Sequence, residues 1–156
     1  MKERLRRGMP IRLQEQTFFS LPMWYHRNAV SEQTTERKDT MPVQVFYDGG
    51  SRTVLAELSG DIDHCSARGL RTPIDEEIMR RLPQRLILDF ENVGFMDSSG
   101  IGLIIGRCKL MTDLGGSVIT VNPKPEIRKL MELAGVQRLC GIVTEKRYSL
   151  TGGLTI

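Results

Sequence analysis

The stretch "RLILDF", residues 85–90, constrains this chain more than any other. Leu86, Ile87, Leu88 and Phe90 crowd together without alternation, and so short and continuous an apolar run reads as a strand covered on both faces. Behind it, after a polar interval, comes "SGIGLIIGRCKLMTDL", a helical pattern with Ile101, Ile104, Ile105, Cys108 and Met111 on one side and Gly115-Gly116 as its stop. A doubly covered strand feeding an apolar helix belongs to an α/β layer structure.

The neighbouring segments repeat the alternation. "VQVFY" and "TVLAELS" read as two strands joined by the turn "DGGSR". "GDIDH" reads as a loop, with Asp63 as N-cap of a helix that begins near His64. Pro73 is expected to kink or restart that helix, whose second half carries Ile74, Ile78 and Leu82 at a spacing of four. "SVITV" is a further strand, "KPEIRKLMELAG" a helix with Pro125 at its start and Gly135 just past its end, and "CGIV" a last short strand. "TEKRYSL" is expected to add a final helical turn. The expected fold is α/β, a mixed and mostly parallel sheet of about four to five strands with helices packed against it.

At 156 residues the chain is long enough for one domain with a true core. Its first forty residues stand apart. They hold eight Lys/Arg and five Asp/Glu, a net +3, whereas residues 41–156 hold fourteen of each. A groove that tracks a phosphate backbone needs positive charge on the folded part, so direct nucleic-acid binding is not expected. "SEQTTERKDT" has linker composition, and residues 1–40 are expected to form an unstructured extension, with 41–156 the folded domain. The apolar "FFSLPMWY" within the extension offers an alternative, a short docking segment. Met41 stands at the point where the periodic pattern begins and is a candidate start of the functional protein. Cys65, Cys108 and Cys140 are far apart and odd in number, and His26 and His64 are the only histidines, so neither a disulfide framework nor a zinc site is expected. No apolar run approaches the ~18 residues of a membrane span, and the polar start is unlike a secretory leader. A reducing cytoplasm is the expected compartment, and no cofactor is implied.

The chemistry-bearing feature is "FMDSSGIG", residues 95–102, at the carboxyl end of the central strand, where open α/β sheets place ligands and partners. Asp97 and Ser98 are both good N-caps, which accounts for one of them. "GIGLIIG" resembles a dinucleotide fingerprint, but the ribose-binding acid expected after the next strand is replaced by Asn122-Pro123, and no Walker lysine follows Gly106. A serine hydrolase would need the G-x-S-x-G elbow, which Ser98 lacks, and His64 is its only nearby histidine. A third reading makes Ser98 a substrate at a helix N-terminus, where a phosphate is favoured by the dipole and by free N–H groups.

"LSGDIDHCSA", "LILDFENVGFMDSSGIGLIIGRCKLM", "LGGSVITV" and "PEIRKLMELAGV" together resemble the anti-sigma factor antagonists of the STAS-domain family, in particular its sporulation branch, from about Met41 to Val143. The resemblance implies a STAS-type sheet and a partner-switching regulator of transcription without catalytic residues of its own. Its partners would be an anti-sigma factor with serine kinase activity and a PP2C-type serine phosphatase. The family's phosphorylated serine corresponds to Ser98. Asp63, Asp97, Ser99, Ile101 and Leu130 correspond to the partner-facing surface, with Ile101 and Leu130 expected to point outward. A STAS module that senses or scaffolds without phosphorylation is the alternative. Residues 1–40 lie outside the family pattern, and Gly152-Gly153 stand where relatives continue a helix.

Overall fold

The computed structural model describes residues 42–144. The expectations for residues 1–40 and for a final turn after Thr144 lie outside the described residues. The elements run β1 (Val43–Asp48), β2 (Thr53–Ile62), α1 (His64–Arg81), β3 (Arg85–Met96), α2 (Ser98–Asp113), β4 (Ser117–Val121), α3 (Pro125–Leu133), a 3₁₀ turn (Val136–Arg138) and β5 (Gly141–Val143).

The sheet has five strands in the order β1-β2-β3-β4-β5. The first pair is antiparallel and the other three pairs are parallel, as the alternation of elements predicts. The Asp48 carboxylate fastens the β1–β2 turn by accepting from the backbone N–H groups of Gly50 at 3.3 Å and Ser51 at 3.0 Å. Because successive parallel strands step across the sheet in one direction through crossovers of one hand, their helices gather on one face. Val54, Ala56, Leu58, Leu86, Leu88, Phe90 and Val118 meet the helices there, from Leu70, Ile74 and Ile78 of α1 through Ile104 and Met111 of α2 to Ile127 and Met131 of α3. Leu55, Ile87, Ile119 and Val121 form a separate buried cluster on the opposite face. Leu86 to Phe90 are all buried, the double covering that their unbroken apolar run predicts.

Four local expectations are corrected. "GDIDH" is not a loop as far as Ile62, since β2 continues to that residue beside a longer β3. Register shifts after Glu57 and Gly60, together with the left-handed Gly60 (φ 82°), absorb the irregularity and let pairing resume at Asp61↔Phe95 and Ile62↔Met96. Helix α1 does not restart at Pro73 but runs through it. The N–H that Pro73 lacks would have served the carbonyl of Gly69, an exposed residue whose carbonyl water can serve instead. Leu82 is not on the buried face. It is the exposed C-cap with φ 47°, stopped by Pro83. On α2 the buried stripe is displaced toward Leu103 and Arg107, which leaves Ile105 exposed. The helix closes as expected, with Gly115 at φ 78° and the Gly116 N–H donating to the Met111 carbonyl at 2.7 Å.

Cys108 and Cys140, distant in sequence, are neighbours in the helix-face core as free thiols. The Cys140 thiol is pushed up by its hydrogen bond with Cys108 and by burial, which keeps it protonated.

Candidate functional site: two helix starts at the carboxyl edge

Strands β2 and β3 end level with one another, Ile62 opposite Met96. The next residue in each chain segment is an aspartate, and each aspartate caps a helix. The carboxyl edge of the sheet therefore presents two helix N-termini side by side, tied by the Asp97 N–H, which donates to the Ile62 carbonyl at 3.1 Å.

At the α1 start, the Asp63 carboxylate accepts from the N–H groups of Cys65 at 2.9 Å and Ser66 at 2.8 Å. The Ser66 hydroxyl accepts from the Asp63 N–H at 2.8 Å, which completes a capping box, and donates to the Asp61 carbonyl at 2.8 Å. Hydrogen bonds from the backbone N–H groups of Ser66 and Cys65 hold the Asp63 carboxyl below its ordinary range, because they are made to the charged form.

At the α2 start, the Asp97 carboxylate accepts from the Ser99 N–H at 2.7 Å, and the Gly100 N–H donates to the Asp97 carbonyl at 3.1 Å. Ser98 is the first helical residue and is exposed. No hydrogen bond engages its hydroxyl among the described residues. Gly100 lies where a side chain has no room. A Cβ there would stand 2.2 Å from Met96 Cγ, 2.5 Å from Met96 Sδ and 3.2 Å from Ile62 Cγ2. The glycine lets α2 close onto the ends of both strands and so fixes where Ser98 emerges.

Between the two starts runs a shallow groove lined by His64, Ala67, Arg68, Arg71, Ser99 and Gly102. Its charged wall comes from the exposed face of α1, with two guanidinium groups about one helical turn apart. Lower down, Arg107 of α2 reaches across to Asp75 of α1. Arg107 Nη2 donates to Asp75 Oδ2 at 3.1 Å, and Nε lies 2.8 Å from Oδ1 in poorly aligned contact. Burial pushes the Asp75 carboxyl up against the opposing pull of Arg107, and burial likewise pulls the Arg107 guanidinium down. This pair joins the two helices whose N-termini form the edge.

The residues expected at this surface divide. Asp63, Asp97, Ser98 and Ser99 do come together at the carboxyl edge. Ile101 does not point outward: at 7% exposure it belongs to the helix-face core, on the buried stripe that continues through Ile104, Cys108 and Met111. Leu130 is half-buried and packs against the same core from α3. Phe95 stands instead as the exposed apolar side chain nearest in sequence to Ser98, 55% exposed at the end of β3, where Val93 and Met96 turn inward. Strict alternation would set Phe95 on the side of Val93; the register shift that leaves Gly94 unpaired turns it out instead, so the sequence carried no signal for it. Arg68 and Arg71 were also missed, since nothing in sequence separates them from an ordinary solvated helix face.

Among the described residues no group of His, Cys, Asp or Glu is placed to hold a metal ion, and no helix is long and apolar enough to cross a membrane. Comparison with known families matches residues 48–147 to the STAS domain. The anti-sigma F factor antagonist of Paenibacillus polymyxa is 32% identical over 111 residues, 71% of this chain and 95% of that protein. That of Lysinibacillus sphaericus is 34% identical over 84 residues, 54% of this chain and 72% of that protein. Among solved structures, the unphosphorylated form of the anti-sigma factor antagonist SpoIIAA aligns with a TM-score of 0.54 at 28% identity, over 68% of this chain and 91% of that one. The phosphorylated Bacillus SpoIIAA aligns with a TM-score of 0.53 at 31% identity, over 68% and 95%.

Proposed function

The chain belongs to the STAS-domain family, and from that premise we propose that it is an anti-sigma factor antagonist in a partner-switching module, with Ser98 as the switch. In its unphosphorylated form it binds an anti-sigma factor that is also a serine kinase, and so frees a sigma factor. Phosphorylation of Ser98 by that kinase ends the binding, and a PP2C-type phosphatase restores it. The chain is the substrate of these reactions and catalyses none of them. The setting is the cytoplasm, where sigma factors work, and the similarity to anti-sigma F antagonists favours sporulation.

The observation that carries this reading is the state of the Ser98 hydroxyl, exposed at the first position of a helix and engaged by nothing among the described residues. A phosphate there adds about −1.5 to −2 charges. The helix N-terminus tolerates that charge, so the fold persists while the surface a partner meets is changed. Asp97 next door adds repulsion, and Arg68 and Arg71 on the facing wall supply opposite charge. Phe95, Asp63 and Ser99 complete the partner surface around the acceptor, with Ile101 and Leu130 supporting it from beneath.

The test is intact-mass measurement after incubation with ATP and the cognate anti-sigma factor. Wild type is expected to gain one phosphate and Ser98→Ala none. Phosphate on Ser98→Ala at the wild-type level would move the acceptor, with Ser99 the nearest hydroxyl. An unmodified wild type that still binds the anti-sigma factor would favour a scaffold over a switch.

A further inference from the structure

The sheet face turned away from α1, α2 and α3 carries an apolar row that crosses all five strands. Register places Phe46, Leu55, Ile87, Ile119 and Gly141 side by side. The adjacent row is Gln44, Glu57, Asp89, Val121 and Val143. Every buried hydrophobic residue of the three helices belongs to the other cluster, yet Leu55, Ile87 and Ile119 are 0% exposed and Val121 1%. Side chains on an open sheet face keep part of their surface in water, and parallel sheets are covered on both sides. No helix among the described residues contributes a buried side chain to this face.

We propose that the segment Phe18–Tyr25 of the N-terminal extension is the cover of this face. Three properties favour it over the other remaining stretch, residues 145–156. Its "FFSLPMWY" packs six apolar residues into eight, whereas Tyr148, Leu150, Leu154 and Ile156 are spread along the C-terminal stretch and interrupted by Gly152-Gly153. Residues 1–40 carry the net +3 of the chain, and the row beside the apolar one contains Glu57 and Asp89. The seventeen residues 26–42 span up to about 55 Å when extended, against a sheet roughly 20 Å wide between its outer strands. The extension is then part of the fold, on the face opposite the helices that carry the Ser98 edge, and the inference stands or falls independently of the switch.

The chain's only tryptophan, Trp24, lies inside the proposed cover and reports on it directly. In the full-length protein, acrylamide quenching of Trp24 is expected to be several-fold weaker in the native state than in urea, and independent of protein concentration. Phe46→Lys and Val143→Lys place a cation at either end of the two rows, at positions not fully buried. At least one of them is expected to raise native quenching several-fold while circular dichroism shows the sheet intact. Trp24 as accessible in the native protein as in urea would overturn the proposal. So would shielding indifferent to both lysines, which places the segment elsewhere, or shielding lost on dilution together with dimer dissociation, which makes a second copy the cover.

Discussion

The two helix starts at the carboxyl edge are built from the same opening residue and finished differently. Asp63 and Asp97 occupy equivalent places, one residue past the paired strand ends Ile62 and Met96. Three positions further on, α1 has Ser66 and α2 has Gly100. Ser66 turns its hydroxyl inward and closes a capping box, so that start is self-contained. Gly100 cannot close anything, and the space its side chain would occupy is filled by Met96 and Ile62. The hydroxyl of α2 sits instead at the first helical position, where it faces outward. A serine used for capping is a poor acceptor because its oxygen is already bonded. The contrast therefore separates a structural serine from an available one within a single edge.

The largest expected effect lies in binding. Ser98→Ala leaves a small neutral surface and is expected to bind the anti-sigma factor as the unmodified protein does. Ser98→Asp puts a carboxylate where the proposed interface has a hydroxyl, and burying that charge unpaired is expected to cost about 4 kcal/mol, near a thousandfold in Kd. Asp is a good N-cap, so both variants are expected to melt alike. Titration calorimetry with thermal melts alongside decides it, and equal affinities would remove the asymmetry between the two starts.

Next in size is the tie between the helices. Arg107→Ala strands the half-buried Asp75, and breaking such a pair is expected to cost about 3 kcal/mol in urea unfolding. Replacing both partners, Asp75→Leu with Arg107→Met, is expected to recover most of that loss. A double variant as unstable as the single one would show that packing of the guanidinium stem, not the charge pair, holds α1 to α2.

Much of this arrangement was legible in the chain, and the illegible part has a common cause. "RLILDF" announced the covered central strand, and Asp63, Asp97, Pro125 and the glycines after α2 and α3 marked helix ends through local chemistry. Local chemistry does not reveal register. That Ile62 pairs with Met96, and so sets two N-caps abreast, depends on bulges that shift β2 against β3. The pairing of Arg107 with Asp75 is invisible for the same reason, since each alone resembles a solvated charge. Ile101 was expected to point outward, although its spacing to Ile104, Cys108 and Met111 already set it on the stripe that the core buries. The restart expected at Pro73 does not occur, because a helix can spare one hydrogen bond when the orphaned carbonyl lies at an exposed residue.

Smaller again is the attempt to give α2 the finish of α1. Gly100→Ser supplies the hydroxyl that a capping box needs, but its Cβ would collide with the buried Met96. Overpacking at such a site is expected to cost about 2 kcal/mol despite the gain in helix propensity. Adding Met96→Ala makes room, and the pair is expected to be less than additive in chemical denaturation, because the clash disappears with the methionine. Strict additivity would mean that Gly100 is required by its backbone rather than by its neighbours.

The smallest effect belongs to the closed start and appears only in acid. The Ser66 backbone N–H and then the Cys65 N–H favour the ionised Asp63 and lower its pKa. A carboxyl whose folded pKa lies below the unfolded one binds fewer protons in the native state, so its contribution is present above the unfolded value. It is lost as pH falls from about 4 through the lower folded value. Asp63→Asn keeps an N-cap of similar quality and removes the titration. The variant is therefore expected to match wild type near neutrality and to show a shallower loss of stability in acid, measured as urea midpoints along a pH series. Asp63 is fully exposed, so added salt is expected to shrink the difference between the two curves. Superimposable acid limbs at low salt would mean that α1 is closed by the geometry of its box alone. The charge on Asp63 would then be free to serve the partner surface beside Ser98.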